Sequence, residues 1–380
     1  MIYLDNGATT FPKPQSVINS VNLALRNFSA NPGRGGHKLA IKASEMVYNA
    51  RKAVADFFTL SDPSNVVFTH NCTEALNFVI KGLVKSGDHI IISSLEHNAV
   101  SRPIEKLKSK NNITYTVAKV VEGDNEQTLN NFRNAIQENT KLLVCTYASN
   151  VFGIKLPIER ICAMCHQYGI LTCVDAAQAA GIIPIDLSDS SIDYLCVAGH
   201  KGLYAPMGTG VLIFNCNNVP DSLIEGGTGS NSNNLYQPDI LPDKFESGTA
   251  NFSGIVGLKS GIDFVNRYGS LKIYHNEINH IKHAYNCLKS IKKVKLYTNE
   301  PDMNYYAPVL SFNIDGIDCE TVSSILSEKY NIATRAGLHC APLAHKAFDT
   351  FDIGTVRVVP SVFTTRNDIN SLINAVYNIK

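Results

Sequence analysis

Lys201 stands in Ala198-Gly199-His200-Lys201, directly after a short apolar run at 192–197, and 26 residues beyond Asp175 in Val174-Asp175-Ala176-Ala177-Gln178. A lysine amine can hold an aldehyde as a Schiff base, and a carboxylate can keep a pyridine nitrogen protonated so that the ring accepts electrons. The pair points to pyridoxal 5'-phosphate (PLP) chemistry and so to an enzyme. Asp175 closes an apolar strand, where an unpaired carboxylate is costly, so a cationic partner such as a pyridinium is expected, with a structural salt bridge as the alternative. A second reactive candidate is Cys340, in Arg335-Ala336-Gly337-Leu338-His339-Cys340-Ala341-Pro342. Gly, His and Pro around it, with a cation five residues upstream, describe a loop able to expose a thiol and favour its thiolate.

These groups need elements that hold them together. Strand and helix signals alternate from about residue 66 to residue 215, the pattern of an α/β fold with a mostly parallel sheet covered by helices. Strands are predicted at 66–69, 88–93, 141–146 and 170–175, and helices at 73–85 and 158–168. Ligands gather at the strand C-termini of such sheets. His70, Asn71, Cys72 and Thr73, then Glu96 and His97, then Ser149 and Asn150, then Asp175 and Gln178, all fall just after such strands. The run from Gly226 to Asn234 is polar and glycine-rich, a surface loop or one at the edge of a site. Helices at 255–267 and 274–290, strands at 309–314 and 355–359 and a closing helix make a smaller α+β domain. The expected division is a large domain over 16–255, with 1–15 and 256–380 in the smaller one.

Composition narrows the partners. A chain of 380 residues with 44% hydrophobic content can bury one large core and a smaller one. With 34 basic and 33 acidic residues, net charge +1, it has no long-range field to draw in nucleic acid or an anionic membrane. No run approaches the 18 or so apolar residues of a membrane span, and the first residues lack a signal-peptide pattern, so a cytoplasmic protein acting on small molecules is expected. Most of the ten cysteines sit in apolar runs and read as buried free thiols. Cys162 and Cys165 have redox or metal spacing, but they lie in a helical pattern without a second pair, so they are assigned to the core and no metal is expected.

Taken together, these motifs resemble the class V aminotransferase family of PLP enzymes, in particular its cysteine desulfurase branch. The likeness runs from Tyr3-Leu4-Asp5-Asn6-Gly7-Ala8-Thr9-Thr10 to the Arg357 region. It implies a PLP-dependent transferase fold of type I, a homodimer with PLP between the two domains, and the first dozen or so residues packed with the smaller one. The reaction it implies removes sulfur from L-cysteine, leaves alanine, and holds the sulfur as a persulfide on a cysteine, here Cys340.

By the same resemblance, Lys201 is the Schiff-base lysine and proton carrier, Asp175 partners the pyridine nitrogen, and His97 stacks on the ring. Asn150 and Gln178 are similar to the groups that bond the ring oxygen. Cys72 and Thr73 would offer backbone amides, and Thr73 its hydroxyl, to the phosphate at a helix N-terminus, a position that also suits a plain N-cap at Asn71 or Thr73. His200 resembles a further phosphate ligand. Thr249 resembles one that reaches across from the partner subunit. Arg357 resembles the arginine that takes the substrate α-carboxylate, with Asn6 and Ala8 lining the cleft largely through their backbone. His97 and His339 are both candidates for moving protons.

The chain departs from the family pattern at Ala198, where many members carry a phosphate-binding serine. It departs again at Gly202, inserted after the lysine, and in 357–365, which keeps Arg357 but lacks the usual Tyr-Asn-Thr ending. With Asn31-Pro32-Gly33-Arg34-Gly35-Gly36-His37, these features look most like a desulfurase-like subgroup. The compact 337–342 segment implies short reach and an acceptor protein that comes to the sulfur. Selenocysteine lyase acting on L-selenocysteine, another PLP aminotransferase or lyase, and a sulfur-relay binding protein without a working cofactor site are the alternatives.

Overall fold

The computed structural model describes residues 1–33 and 35–380, so Arg34 of the Asn31–His37 motif lies outside the described residues. Seven strands form the main sheet in the spatial order Val66–Thr69, Gly210–Phe214, Tyr194–Ala198, Leu171–Asp175, Thr140–Thr146, His89–Ser93 and Thr114–Ala118. Gly210–Phe214 runs antiparallel to both its neighbours, and the other pairings are parallel. His89–Ser93, Tyr194–Ala198 and Gly210–Phe214 are buried along their whole length, as strands covered on both faces must be, and read as continuous apolar runs. Alternate residues feed two cores: Ile91, Leu143, Val174 and Leu195 enter one, Ile90, Ile92, Leu142 and Cys173 the other.

The predicted strand at 66–69 is Val66–Thr69, and the helix expected at 73–85 is Cys72–Leu83. The edge strand Thr114–Ala118 was not predicted, since it is half exposed and polar along much of its length. Nor were the helices Gln15–Asn27 and Lys38–Phe57, both of which pack on the helix Phe252–Tyr268. Cys162 and Cys165 are buried in the first core.

A second sheet, all antiparallel, has the order Arg335–Gly337, Thr355–Val358, Leu310–Ile314, Val294–Leu296. The helices Ser270–Lys289, Cys319–Tyr330 and Arg366–Asn378 bury a third core with it, which also takes in Leu4. Leu4 enters because Ile2–Tyr3 pairs in parallel with Ile332–Ala333, and Val359 N–H donates to Leu4 O at 2.7 Å. The N-terminal segment is thus fixed to the second sheet and then crosses to the main one, where Thr10 N–H donates to His200 O at 3.2 Å. Among the described residues no helix is long and apolar enough to cross a membrane.

Gly202, the inserted residue, has a steric reason. A Cβ there would strike the carbonyl oxygen of Ala180, and Gly181, at φ +87°, faces Gly202 from the other side. The chain therefore passes against the Ala180–Gly181 turn before Tyr204, which is buried with its hydroxyl accepting from Val362 N–H at 3.3 Å.

Candidate functional site

The C-terminal ends of the parallel strands open into a cleft. Its walls include Asn71, Cys72 and Thr73 from one strand-to-helix turn, His97 from the next, Asn150 and Asp175 from the two after that, and Lys201 beyond Tyr194–Ala198. The second sheet closes it with Arg335, His339 and Arg357, and the N-terminal segment with Gly7 and Ala8. Residues more than 300 positions apart in sequence thus share one site.

Lys201 is partly buried, and desolvation lowers its amine from the usual lysine range while nearby Asp175 opposes the shift. Asp175 ends its strand with Oδ1 accepting from Ala177 N–H at 2.9 Å and from the Cys72 thiol at 3.4 Å. Burial, with Asp175 adding to it, pushes the Cys72 thiol well up, so Cys72 is neutral. Cys72 and Thr73 open their helix, whose first amides have no intrahelical partners. Asn71 caps it, accepting from Glu74 N–H at 2.9 Å, so the N-cap role falls to Asn71 rather than Thr73.

His97 caps the next helix, Asn98–Asn111, its Nδ1 accepting from Ala99 N–H at 3.0 Å. That bond places the ring proton on Nε2. Burial lowers the pKa to about 4, with Lys201 adding to the effect and Asp175 opposing it. His200 is likewise lowered to about 4, first by burial and then by Lys201 and Lys13. Its Nδ1 is buried without a partner among the described residues, while its carbonyl accepts from Lys13 Nζ at 2.8 Å.

Cys340 is exposed, and the neighbouring Arg335 donates toward its Sγ from Nη2 at 3.8 Å. His339 and Cys340 both have left-handed backbone, φ 48° and 57°. Three bonds hold this bend: Ala341 N–H donates to Leu338 O at 2.8 Å across it, Asn150 Nδ2 to His339 O at 2.8 Å, and Asn98 N–H to Cys340 O at 2.7 Å. The His339 ring is buried and donates from Nε2 to Thr355 O at 3.0 Å, leaving Nδ1 unpartnered among the described residues. Burial and then Arg357 lower its pKa to about 2.

Arg357 is 1% exposed. It donates from Nη1 to Asn150 O at 2.9 Å and from Nη2 to Asp5 Oδ1 at 2.8 Å. Gln178 lines the cleft and donates to Gly7 O at 3.0 Å.

Asn6, and Thr249, which was expected to serve the partner's site, lie outside this chain's cleft. The Asn6 side chain is spent on Val359 O at 2.9 Å and on Phe11 N–H at 3.1 Å, so Gly7 and Ala8, and not Asn6, face the cleft. Thr249 lines a separate, more apolar cavity with Phe68, Phe78 and Phe245. Asp5, Glu96 and Lys13 carried no assigned role in the sequence. The first is signalled by Arg357 itself, since an arginine within an apolar strand requires an anion. Glu96 is fully buried beneath the cleft, accepting from Ser93 Oγ and, at 2.9 Å, from Thr146 N–H. Burial raises its pKa to about 8.

Comparison with known proteins gives the site a context. The aminotransferase class-V family model matches residues 2–372. A probable cysteine desulfurase of Methanothermobacter thermautotrophicus is 32% identical over 98% of this chain and 92% of that protein. A cysteine desulfurase of Escherichia coli O8 is 32% identical over 90% of this chain and 84% of its own length. Among solved structures, the apo form of a cysteine desulfurase from Thermococcus onnurineus matches with a TM-score of 0.91 at 30% identity, covering 99% of this chain and 94% of that one.

Proposed function

Because the chain belongs to the aminotransferase class-V family, we propose that it is a PLP-dependent cysteine desulfurase that converts L-cysteine to L-alanine and takes the sulfur onto Cys340. The observation that carries the reading is an exposed thiol, Cys340, held beside Arg335 at the rim of a cleft that also contains Lys201, Asp175 and Arg357.

The residues fit PLP. Lys201 would carry it, Asp175 would face its pyridine nitrogen and His97 its ring, with Asn150 and Gln178 near its ring oxygen. The amides of Cys72 and Thr73, the Thr73 hydroxyl and the unpartnered His200 Nδ1 would hold its phosphate. The His200 donor offsets the missing hydroxyl at Ala198. When bound, PLP supplies the electron sink that makes the substrate α-proton acidic.

This chain's own groups do the rest. Arg357 binds the substrate carboxylate and orients the α-carbon. The Lys201 amine, lowered by burial, is a base for the α-proton. His97, with Nδ1 already accepting, can only donate from Nε2. Cys340 Sγ, which lies beside Arg335 Nη2 at 3.8 Å, attacks the substrate sulfur. One S–S bond forms and the substrate C–S bond breaks, so cysteine and enzyme thiol become alanine and enzyme persulfide. Two thiols, or an acceptor protein and a thiol, then release the sulfur and restore Cys340.

Thr249 lies away from its own chain's cleft, which supports a homodimer in which it serves the partner's site. The exposed Leu235, Tyr236 and Ile240 of the same stretch supply apolar surface for that contact.

The test is sulfide and alanine release from L-cysteine with reductant by the PLP-loaded protein, comparing wild type with Cys340→Ala and running L-selenocysteine in parallel. Equimolar products that vanish in the variant support the reading. Cleavage of selenocysteine alone, or an unaffected variant, replaces it with a lyase, and keto-acid-dependent amino transfer replaces it with an aminotransferase.

A further inference from the structure

Arg357 is fixed from three sides. Its Nη1 is held by the Asn150 carbonyl at 2.9 Å, its Nη2 by Asp5 Oδ1 at 2.8 Å, and Gly7 packs flat on it. A Cβ at Gly7 would lie 2.9 Å from Val359 Cγ2, 3.1 Å from the guanidinium carbon and 3.2 Å from Nη2, so any larger residue would crowd the guanidinium. Yet Nε is buried with no partner among the described residues. The Nε/Nη2 edge, the one suited to a two-oxygen acceptor, is half used.

The two partners differ in freedom. The Asp5 side chain is 20% exposed against 1% for Arg357. Backbone contacts hold Asp5 in place, Ala8 N–H donating to its carbonyl at 3.0 Å and a parallel bridge joining it to Val359. Its carboxylate can therefore turn toward water while main chain and arginine stay put.

Resting on the reading of Arg357 as the substrate-carboxylate site, we propose that Asp5 is a specificity-determining placeholder: its carboxylate occupies Arg357 in the free enzyme and is displaced by the α-carboxylate of the substrate. Exchange of one carboxylate for another keeps the buried guanidinium paired throughout, avoiding an uncompensated buried charge. A substrate carboxylate wins because it fills Nε as well as Nη2. A ligand with one acceptor, such as an amide, gains nothing over Asp5, so the contact rejects non-acid thiols and amines.

The experiment titrates the PLP-loaded protein with L-alanine by calorimetry and follows its thermal midpoint with and without that ligand, for wild type, D5N, R357Q and the double variant. D5N should bind L-alanine about tenfold more tightly, the scale of one charge-assisted hydrogen bond, while its ligand-free midpoint falls. R357Q should lose binding in both backgrounds. Unchanged or weaker binding in D5N, or tighter binding that persists in the double variant, overturns the placeholder. R357Q binding at wild-type affinity overturns instead the assignment of Arg357, whatever D5N does. Should D5N fail to fold, a wild-type crystal structure with L-alanine decides: Asp5 turned away from Nη2 supports the proposal, and an intact Asp5–Arg357 bond beside bound L-alanine sinks it.

Discussion

The backbone N–H of Asn98 donates to the carbonyl oxygen of Cys340 at 2.7 Å. Asn98 is the first residue of the helix capped by His97, so the reactive loop is tied to the element that presents that imidazole. The neighbouring carbonyl, of His339, is tied to Asn150, whose own carbonyl binds Arg357. Arg357, the His97 helix and the Cys340 loop are thus joined by one main-chain and two side-chain-to-main-chain hydrogen bonds. Two successive left-handed residues, each costing on the order of 1 kcal/mol, are held in place by these bonds.

The side-chain tie can be removed. Asn150→Ala should leave the His339 carbonyl unpaired and free the loop, raising amide exchange across 337–342. Misplacing a nucleophile by about 1 Å can cost about a hundredfold in rate. Single-turnover persulfide formation on Cys340, followed by mass, should therefore slow about tenfold to a hundredfold. Unaltered exchange in the loop would show that the two main-chain bonds suffice.

His97 has two separable tasks. As an N-cap it can be replaced by asparagine at little cost, whereas His97→Ala should lose about 1 kcal/mol of stability. As the imidazole proposed to face the PLP ring it has no substitute in either variant, so both should lose about a hundredfold in turnover. Denaturant midpoints and kcat, measured together, separate the tasks. Because the folded imidazole titrates near 4, any acid limb of kcat/KM above about pH 5 should survive in His97→Asn. Its disappearance would assign that limb to His97.

The main sheet was legible because its buried strands are continuous apolar runs and because Lys201, Asp175, His97 and Asn150 each follow one. The pairings that complete the site were not. Asp5 and Arg357 are separated by most of the chain, and the parallel contacts of the N-terminal segment with Ile332–Ala333 and with Val359 bring them together. Asn6 looked like a lining residue by its position in a motif, but residues in a tight turn alternate in direction, and its amide points to Val359 and Phe11. Gly202 read as a departure from pattern, and its reason, the Ala180 carbonyl against it, is visible only in three dimensions.

That contact makes a stability prediction. Gly202→Ala would drive a methyl group to 2.3 Å from the Ala180 carbonyl oxygen and 3.1 Å from Ile182 Cγ1. A cost of about 2 kcal/mol or more follows, on the scale of overpacked cores. Displacement of the 201–204 turn should also weaken retention of PLP, read as loss of visible absorbance on dialysis. A variant with wild-type thermal midpoint would mean that the turn shifts freely.

Buried titratable groups set opposing limbs of stability against pH. His97, His200 and His345 are each lowered from 6.5 to about 4, chiefly by burial. Between those values the unfolded chain takes up protons that the folded chain refuses, so stability falls as pH drops from about 6.5 toward 4. Glu96 acts in the opposite sense. Its folded value is raised by burial from 4.5 to about 8, so its contribution is present below pH 4.5 and lost as pH rises through about 8. Buried Glu277 is raised as well. The thermal midpoint should therefore peak near about pH 6.5 and decline on both sides, each unmatched proton contributing a slope of about 1.4 kcal/mol per pH unit. Glu96→Gln keeps an acceptor for Ser93 and Thr146 while removing the titration, so its midpoint should decline less steeply between pH 6.5 and 8 and match the wild type in slope below pH 4.5. Parallel curves for the two proteins across the alkaline limb would show that Glu96 is ionised in the folded chain.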